Sequence, residues 1–235
     1  MKKFFAQYDT IFLVLAGTLI VFGLFVLASA SLGLSSLKFG QSYYYISHQI
    51  LLGIIPGLFF LFFALRFDYK KWKNWSLALM ITAIVMMVLV FTPLGFYHGG
   101  AKRWLSIFGF SFQPSEFLKF AFLVYLASWL ETRSRQITSF KFGFLPFFIM
   151  SAFVASFLIF QPDMGTLLVL LLTVFSLFFI SGGRFKQIAI AVFLVLILLP
   201  VLIYQKPYLG ERIAVFLNPS HDITGAGYQL NQALI

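Results

Sequence analysis

The chain has no cysteine among its 235 residues. That absence removes a disulfide framework, a thiolate metal site and thiol redox chemistry from consideration. Charge is the second shortage. Asp, Glu, Lys and Arg together make up 10% of the residues, against about 25% in ordinary soluble domains. Acids are the scarcer sign, 7 against 17 bases. What fills the space is apolar: 61% hydrophobic residues, with 33 phenylalanines. A soluble chain of this length could not hide that much apolar surface, so the solvent for most of it is lipid. The net charge of +10 does not mark a nucleic-acid partner. The basic residues are parcelled between apolar runs instead of massed on one face.

The sequence predicts an all-α, polytopic membrane bundle with about seven transmembrane helices. Met1-Lys2-Lys3 leads past Asp9 into a run over about 11–30. Its Ala28-Ser29-Ala30 end imitates a signal-peptide cleavage site, but the run is too long for a signal peptide's apolar region. Polar residues through Lys38 and Gln41 read as a loop. The second run, about 44–65, opens on Tyr43, Tyr44 and Tyr45, placed like an interfacial anchor. Later runs fall at about 75–95, 114–130, 143–160, 164–181 and 188–204. Residues 1–204 thus read as the bundle. Residues 205–235 read as the start of a large extracytoplasmic loop, with a short amphipathic helix over Tyr208–Pro219 and a turn over Asp222–Gln229.

Orientation follows from the basic residues. With the N-terminus in the cytoplasm, the inner segments hold Lys2, Lys3, Arg66, Lys70, Lys71, Lys73, Arg133, Arg135, Lys141, Arg184 and Lys186. Only Lys38, Lys102, Arg103, Lys206 and Arg212 fall outside. That asymmetry matches the positive-inside rule.

Candidate chemistry gathers in the stretch from Gly99 to Lys119. Glu116 and Lys119 are three residues apart on a predicted helix and can neutralise each other. Near the bilayer centre each charge alone would cost roughly 2.5–3.5 kcal/mol. The alternative is a pair at the interface. Lys102, Arg103 and Trp104 lie on the side where basic residues are disfavoured, which points to an anionic ligand, with lipid headgroups as the plainer reading. Arg forks around phosphate oxygens, Lys supplies a compact charge, and Trp can stack on a sugar or sit at the headgroup level. Asp163 sits in the Gln161-Pro162-Asp163 hairpin between two spans, where it can cap the following helix or meet a substrate.

GAKRW, SFQPSEFLK, QPDMGT and ERIAVFLNP with DITGAGYQ, in this order and spacing, resemble the SEDS family of bacterial shape, elongation, division and sporulation proteins. RodA and FtsW are its members, and the FtsW-like division type is the nearer subgroup. The resemblance covers essentially the entire chain. It implies about ten spans in the bacterial cytoplasmic (inner) membrane and a peptidoglycan glycosyltransferase that polymerises lipid II in cell elongation or division. It implies a class B penicillin-binding protein as partner, with undecaprenyl pyrophosphate as leaving group. Lys102, Arg103, Trp104 and Arg212 are then substrate-binding candidates. Gln113, Glu116, Lys119 and Asp163 would shape the cavity. The family's catalytic aspartate belongs to a region beyond Ile235, so no catalytic residue is assigned here. The chain reads as an N-terminal portion of the family fold, inactive by itself. No cofactor is evident, and a divalent metal requirement is left open. A lipid II flippase and a non-enzymatic scaffold of the division or elongation machinery remain alternatives.

Overall fold

The computed structural model describes residues 9–98, 101–107, 110–205 and 207–218. Contacts divide the chain into two units, Met1–Lys71 and Trp72–Ile235.

In the first unit, α1 spans Thr10–Phe39. Asp9 caps it by accepting from the Phe12 amide at 3.0 Å. The helix runs through the Ser-rich stretch expected to be a loop. There Ser36 Oγ donates to the Leu32 carbonyl at 2.9 Å, so the hydroxyl is satisfied inside the helix. The helix stops at Gly40, whose φ of 66° suits a residue without Cβ. Tyr44 then stacks on Phe39 at 3.9 Å between ring centroids, and its amide donates to Ser35 Oγ at 3.1 Å.

The second run is broken into α2 (Tyr44–Gln49), a π turn (Ile50–Ile54) and α3 (Ile55–Arg66). Pro56 explains the break. It has no N–H for the carbonyl four residues back, and the preceding Ile55 amide reaches five residues back, to Ile50. The fifth run repeats the device. A π turn at Phe140–Phe144 precedes Leu145-Pro146, and the Leu145 amide reaches Phe140. An apolar groove of about 640 Å³ lies between α1 and the broken helix, with Gly23, Gly53 and Gly57 among its lining residues.

The second unit holds α4 (Trp72–Val90), α5 (Pro114–Thr132), α6 (Leu145–Phe160), α7 (Met164–Ile180), α8 (Phe185–Gln205) and α9 (Pro207–Leu217). Helix α4 packs along α5, and α5 against α7. The core joins Met87, Leu118, Phe122, Leu126, Phe147, Leu158 and Phe178, all inaccessible to solvent. Ala83 and Ala121 are buried in it as well; such small residues let membrane helices approach closely. Phe147 stacks on Phe178 at 4.3 Å.

Each of the seven apolar runs is helical over most of its length, the third only as far as Val90. Among the described residues, four helices are long and apolar enough to cross a membrane by themselves: Thr10–Phe39, Tyr44–Arg66, Tyr69–Val90 and Phe140–Phe160. Met164–Ile180 and Phe185–Val201 are shorter apolar helices. The amphipathic helix expected after the last run is α9, with Leu209 and Val215 buried. The turn expected at Asp222–Gln229 lies outside the described residues.

One element departs from the all-helical expectation. Between α4 and α5 the chain forms a three-stranded antiparallel sheet of β1 (Gly95–His98), β2 (Ala101–Ile107) and β3 (Phe110–Phe112), in that order. Lys102-Arg103-Trp104 therefore sits on a strand and not in an open loop. Gly95 is required at its start, since a Cβ there would come within 2.0 Å of the Val90 carbonyl oxygen.

Candidate functional site

The sheet and two helix starts bring the singled-out motifs to one end of the second unit. Strand alternation by itself would divide the basic pair of β2. A register shift in the β1–β2 pairing between Phe96 and Tyr97 interrupts that alternation; Ala101 and Leu105 are buried, and Lys102, Arg103 and Trp104 between them are half-buried. Arg103 Nε donates to the Gln161 carbonyl at 3.2 Å and Nη2 to the Pro162 carbonyl at 2.7 Å. Lys102 Nζ donates to the Thr92 carbonyl at 2.6 Å. Both cations thus meet carbonyls just past helix C-termini, Lys102 beyond α4 and Arg103 beyond α6. Those ends carry the negative pole of the helix dipole and unpaired carbonyls. This gives Lys102 and Arg103 a structural role that the sequence does not display.

Asp163 is the hub on the other side of the hairpin. It caps α7, with Oδ1 accepting from the Thr166 amide at 3.3 Å. Its Oδ2 accepts from Gln113 Nε2 at 3.1 Å and from Ser115 Oγ at 3.3 Å. Gln113 also donates to Ser115 Oγ at 2.9 Å. Gln113 is the cap residue of α5 and Pro114 its first helical residue, where a missing N–H costs nothing. Two helix N-termini therefore converge on one buried carboxylate, and neutral donors hold it. A charge at that depth needs such donors. Among the described residues Asp163 makes no ion pair.

Glu116 and Lys119 do meet, with Lys119 Nζ 2.9 Å from Glu116 Oε1. Glu116 lies in the first turn of α5, where a negative charge complements the helix dipole. It is 56% exposed by its side chain and Lys119 is 28% exposed. The pair's link to the Asp163 cluster is through the backbone, where the Glu116 amide donates to the Gln113 carbonyl at 3.1 Å. Trp104 is half-buried on β2. Arg212 falls on α9, and its side chain lies outside the described residues.

Two contributors were not singled out from the sequence. Ser115, fully buried, completes the Asp163 shell. Gln161 is 1% exposed, supplies a carbonyl to Arg103 and rests its amide on Met87 Sδ at 3.9 Å. The signal for Ser115 was available: a small polar residue just after a helix-starting proline lies among unpaired amides.

The family model for FtsW, RodA and SpoVE, described as cell cycle protein, matches residues 9–235. Stage V sporulation protein E of Bacillus subtilis is 36% identical over 232 residues, covering 96% of this chain and 62% of that one. A protein of Geobacter sp. (strain M18) named probable peptidoglycan glycosyltransferase FtsW is 34% identical, covering 96% and 62%. The chain therefore spans less than two thirds of the length of these relatives. Among solved structures, a chain from a peptidoglycan synthase complex, in work on the coordination of polymerization and crosslinking, superposes with a TM-score of 0.68 at 26% identity. The match covers 90% of this chain and 63% of that one. Rod shape determining protein RodA of Thermus thermophilus shares the fold, with a TM-score of 0.52 at 24% identity over 75% of this chain and 58% of that one.

Proposed function

The chain belongs to the FtsW, RodA and SpoVE family of cell cycle proteins, and from that premise we propose that it serves a peptidoglycan glycosyltransferase acting on lipid II. The observation that carries the reading is the joining of three motifs at one end of the second unit. Arg103 ties the sheet to the Gln161-Pro162 turn, while Asp163 ties that turn to Gln113 and Ser115. The charge asymmetry supports a reading with this end on the outer face of the cytoplasmic membrane and the N-terminus inside. A rigid, cationic end at that level suits a substrate with a pyrophosphate at the membrane and sugars above it. In such a reaction a sugar hydroxyl attacks an anomeric carbon and the prenyl pyrophosphate leaves with the bonding electrons. The departing charge needs positive groups and the hydroxyl needs a base. Lys102, Arg103, Trp104 and Arg212 are the candidates for the first task. Arg103 enters partly as a positioning residue, because two of its donors already hold carbonyls. A class B penicillin-binding protein is the proposed partner, in keeping with the neighbour taken from a peptidoglycan synthase complex. The bacterial inner membrane is the proposed location.

The test is a gel assay for glycan polymer from labelled lipid II, with the full-length protein and a class B penicillin-binding partner. Polymer is expected. Arg103→Ala should lower turnover by roughly 30- to 1000-fold, the range for losing one charge-stabilising donor. Arg103→Lys should recover part of it, since a point charge cannot bridge two carbonyls. Transbilayer movement of lipid II with no polymer under any partner would instead assign a flippase. Neither activity, with the partner still captured, would leave a scaffold.

A further inference from the structure

Two helices that can cross a membrane end at one small cavity. Val90 closes α4 and Phe160 closes α6. Phe91 and Phe160 line a cavity of about 350 Å³ together with Tyr97, Lys102 and Pro162. In a membrane protein the last residue of a span marks the boundary between hydrocarbon and headgroups. The rim is apolar and open at that boundary: Phe160 is 69% exposed and Phe91 47%.

The polar part of the wall comes from the sheet. Tyr97 and Lys102 are cross-strand partners of β1 and β2 beside the register shift, and both line the cavity. The Lys102 ammonium is held in place by the Thr92 carbonyl at 2.6 Å. An ammonium has three N–H donors, so two remain for another partner. Among the described residues no carboxylate lies within ion-pair distance of Lys102. Tyr97 adds an exposed aromatic ring with a hydroxyl, the kind of group that settles at headgroup depth.

We propose that this cavity binds the phosphate of an anionic lipid in the leaflet that faces the sheet. The fixed ammonium meets the phosphate, Tyr97 packs beside the headgroup, and Phe91 and Phe160 receive the start of a chain. A freely dissolved anion fits less well, because the rim rings would then face water. The inference uses the same placement of Lys102 as the functional reading but needs no polymerase activity. A failed polymer assay with intact lipid binding would leave it standing.

Native mass spectrometry of the full-length protein, titrated with phosphatidylglycerol against phosphatidylcholine, gives the test. One phosphatidylglycerol should be held in preference to phosphatidylcholine. Lys102→Gln keeps a donor for Thr92 and should weaken that binding by about fivefold, as expected for one cation near a lipid phosphate. Tyr97→Ala, which leaves the Lys102 tether intact, should weaken it as well. Lys71→Gln, an equal loss of charge elsewhere, should not. Equal binding of the two lipids would overturn the proposal. So would parental phosphatidylglycerol affinity in both Lys102→Gln and Tyr97→Ala at unchanged melting temperature. Competition with a short-chain prenyl phosphate identifies the source. Displacement supports the site with a carrier lipid as occupant, and retention supports it with bulk phospholipid.

Discussion

At the scale of single residues, Asp163 is the side chain on which two helix starts depend. Three neutral donors converge on its carboxylate. Asp163→Ala removes a helix cap worth about 1 kcal/mol and strands Gln113 and Ser115, whose buried donors cost about 1–3 kcal/mol when unpaired. A combined loss of about 2–4 kcal/mol is expected, read as a lowered melting temperature in detergent. Asp163→Asn should lose less, because Asn caps as well as Asp. Equal melting of the Ala variant and the parent would mean the convergence contributes nothing. By contrast the Glu116–Lys119 pair, more than half exposed on the acid side, is worth at most about 1 kcal/mol. Its presence was legible from the i, i+3 spacing. The roles of Lys102 and Arg103 as C-terminal caps were not, because the carbonyls they satisfy belong to residues 10 and about 60 positions away.

At the scale of elements, the apolar runs announced their helices, and capping residues announced some ends. Asp9, Pro114 and Asp163 all occupy the helix-start positions that their chemistry favours. The sheet escaped notice because its strands are short and lie among glycines and aromatics, where no clear period-2 pattern builds up. The end of α1 was misplaced because the polar stretch through Lys38 and Gln41 read as a loop, although Ser36 satisfies its hydroxyl against the Leu32 carbonyl inside the helix and Ser35 donates forward to the Gln41 carbonyl. Close backbone approach is likewise invisible in sequence. At Gly143 a Cβ would lie 2.3 Å from the Ile137 carbonyl oxygen and 2.5 Å from that of Gln136. Neither atom is a flexible side-chain end. Gly143→Ala should therefore destabilise by about 1–3 kcal/mol through overpacking, while Gly17→Ala, with open space around it, should be close to neutral. Thermal unfolding of the two variants in one detergent checks the contrast. Similar melting temperatures would contradict the close approach.

At the scale of the whole molecule, lipid as the solvent could be read from composition alone, and the helical runs fell close to where hydropathy put them. Orientation rests on basic residues and has its own test. Single cysteines can be introduced without background, since the chain has none. In intact cells, cysteine at Lys38 or Ser106 should react with a membrane-impermeant maleimide; cysteine at Lys71 or Ser134 should react only after permeabilisation. Labelling of the Lys71 position in intact cells would reverse the topology. One further consequence follows from how Arg103 and Asp163 are satisfied. Neither uses an opposite charge: the cation holds carbonyls and the anion holds amides and a hydroxyl. Ionic strength screens pairs of exposed charges, such as Lys73 with Glu131 at 3.1 Å, but has less purchase on short contacts between a buried or half-buried charge and a neutral dipole. The contacts that join the sheet to the Gln161-Pro162-Asp163 turn are thus nearly indifferent to salt, while the screenable Lys73–Glu131 pair lies at the opposite end of α4 and α5.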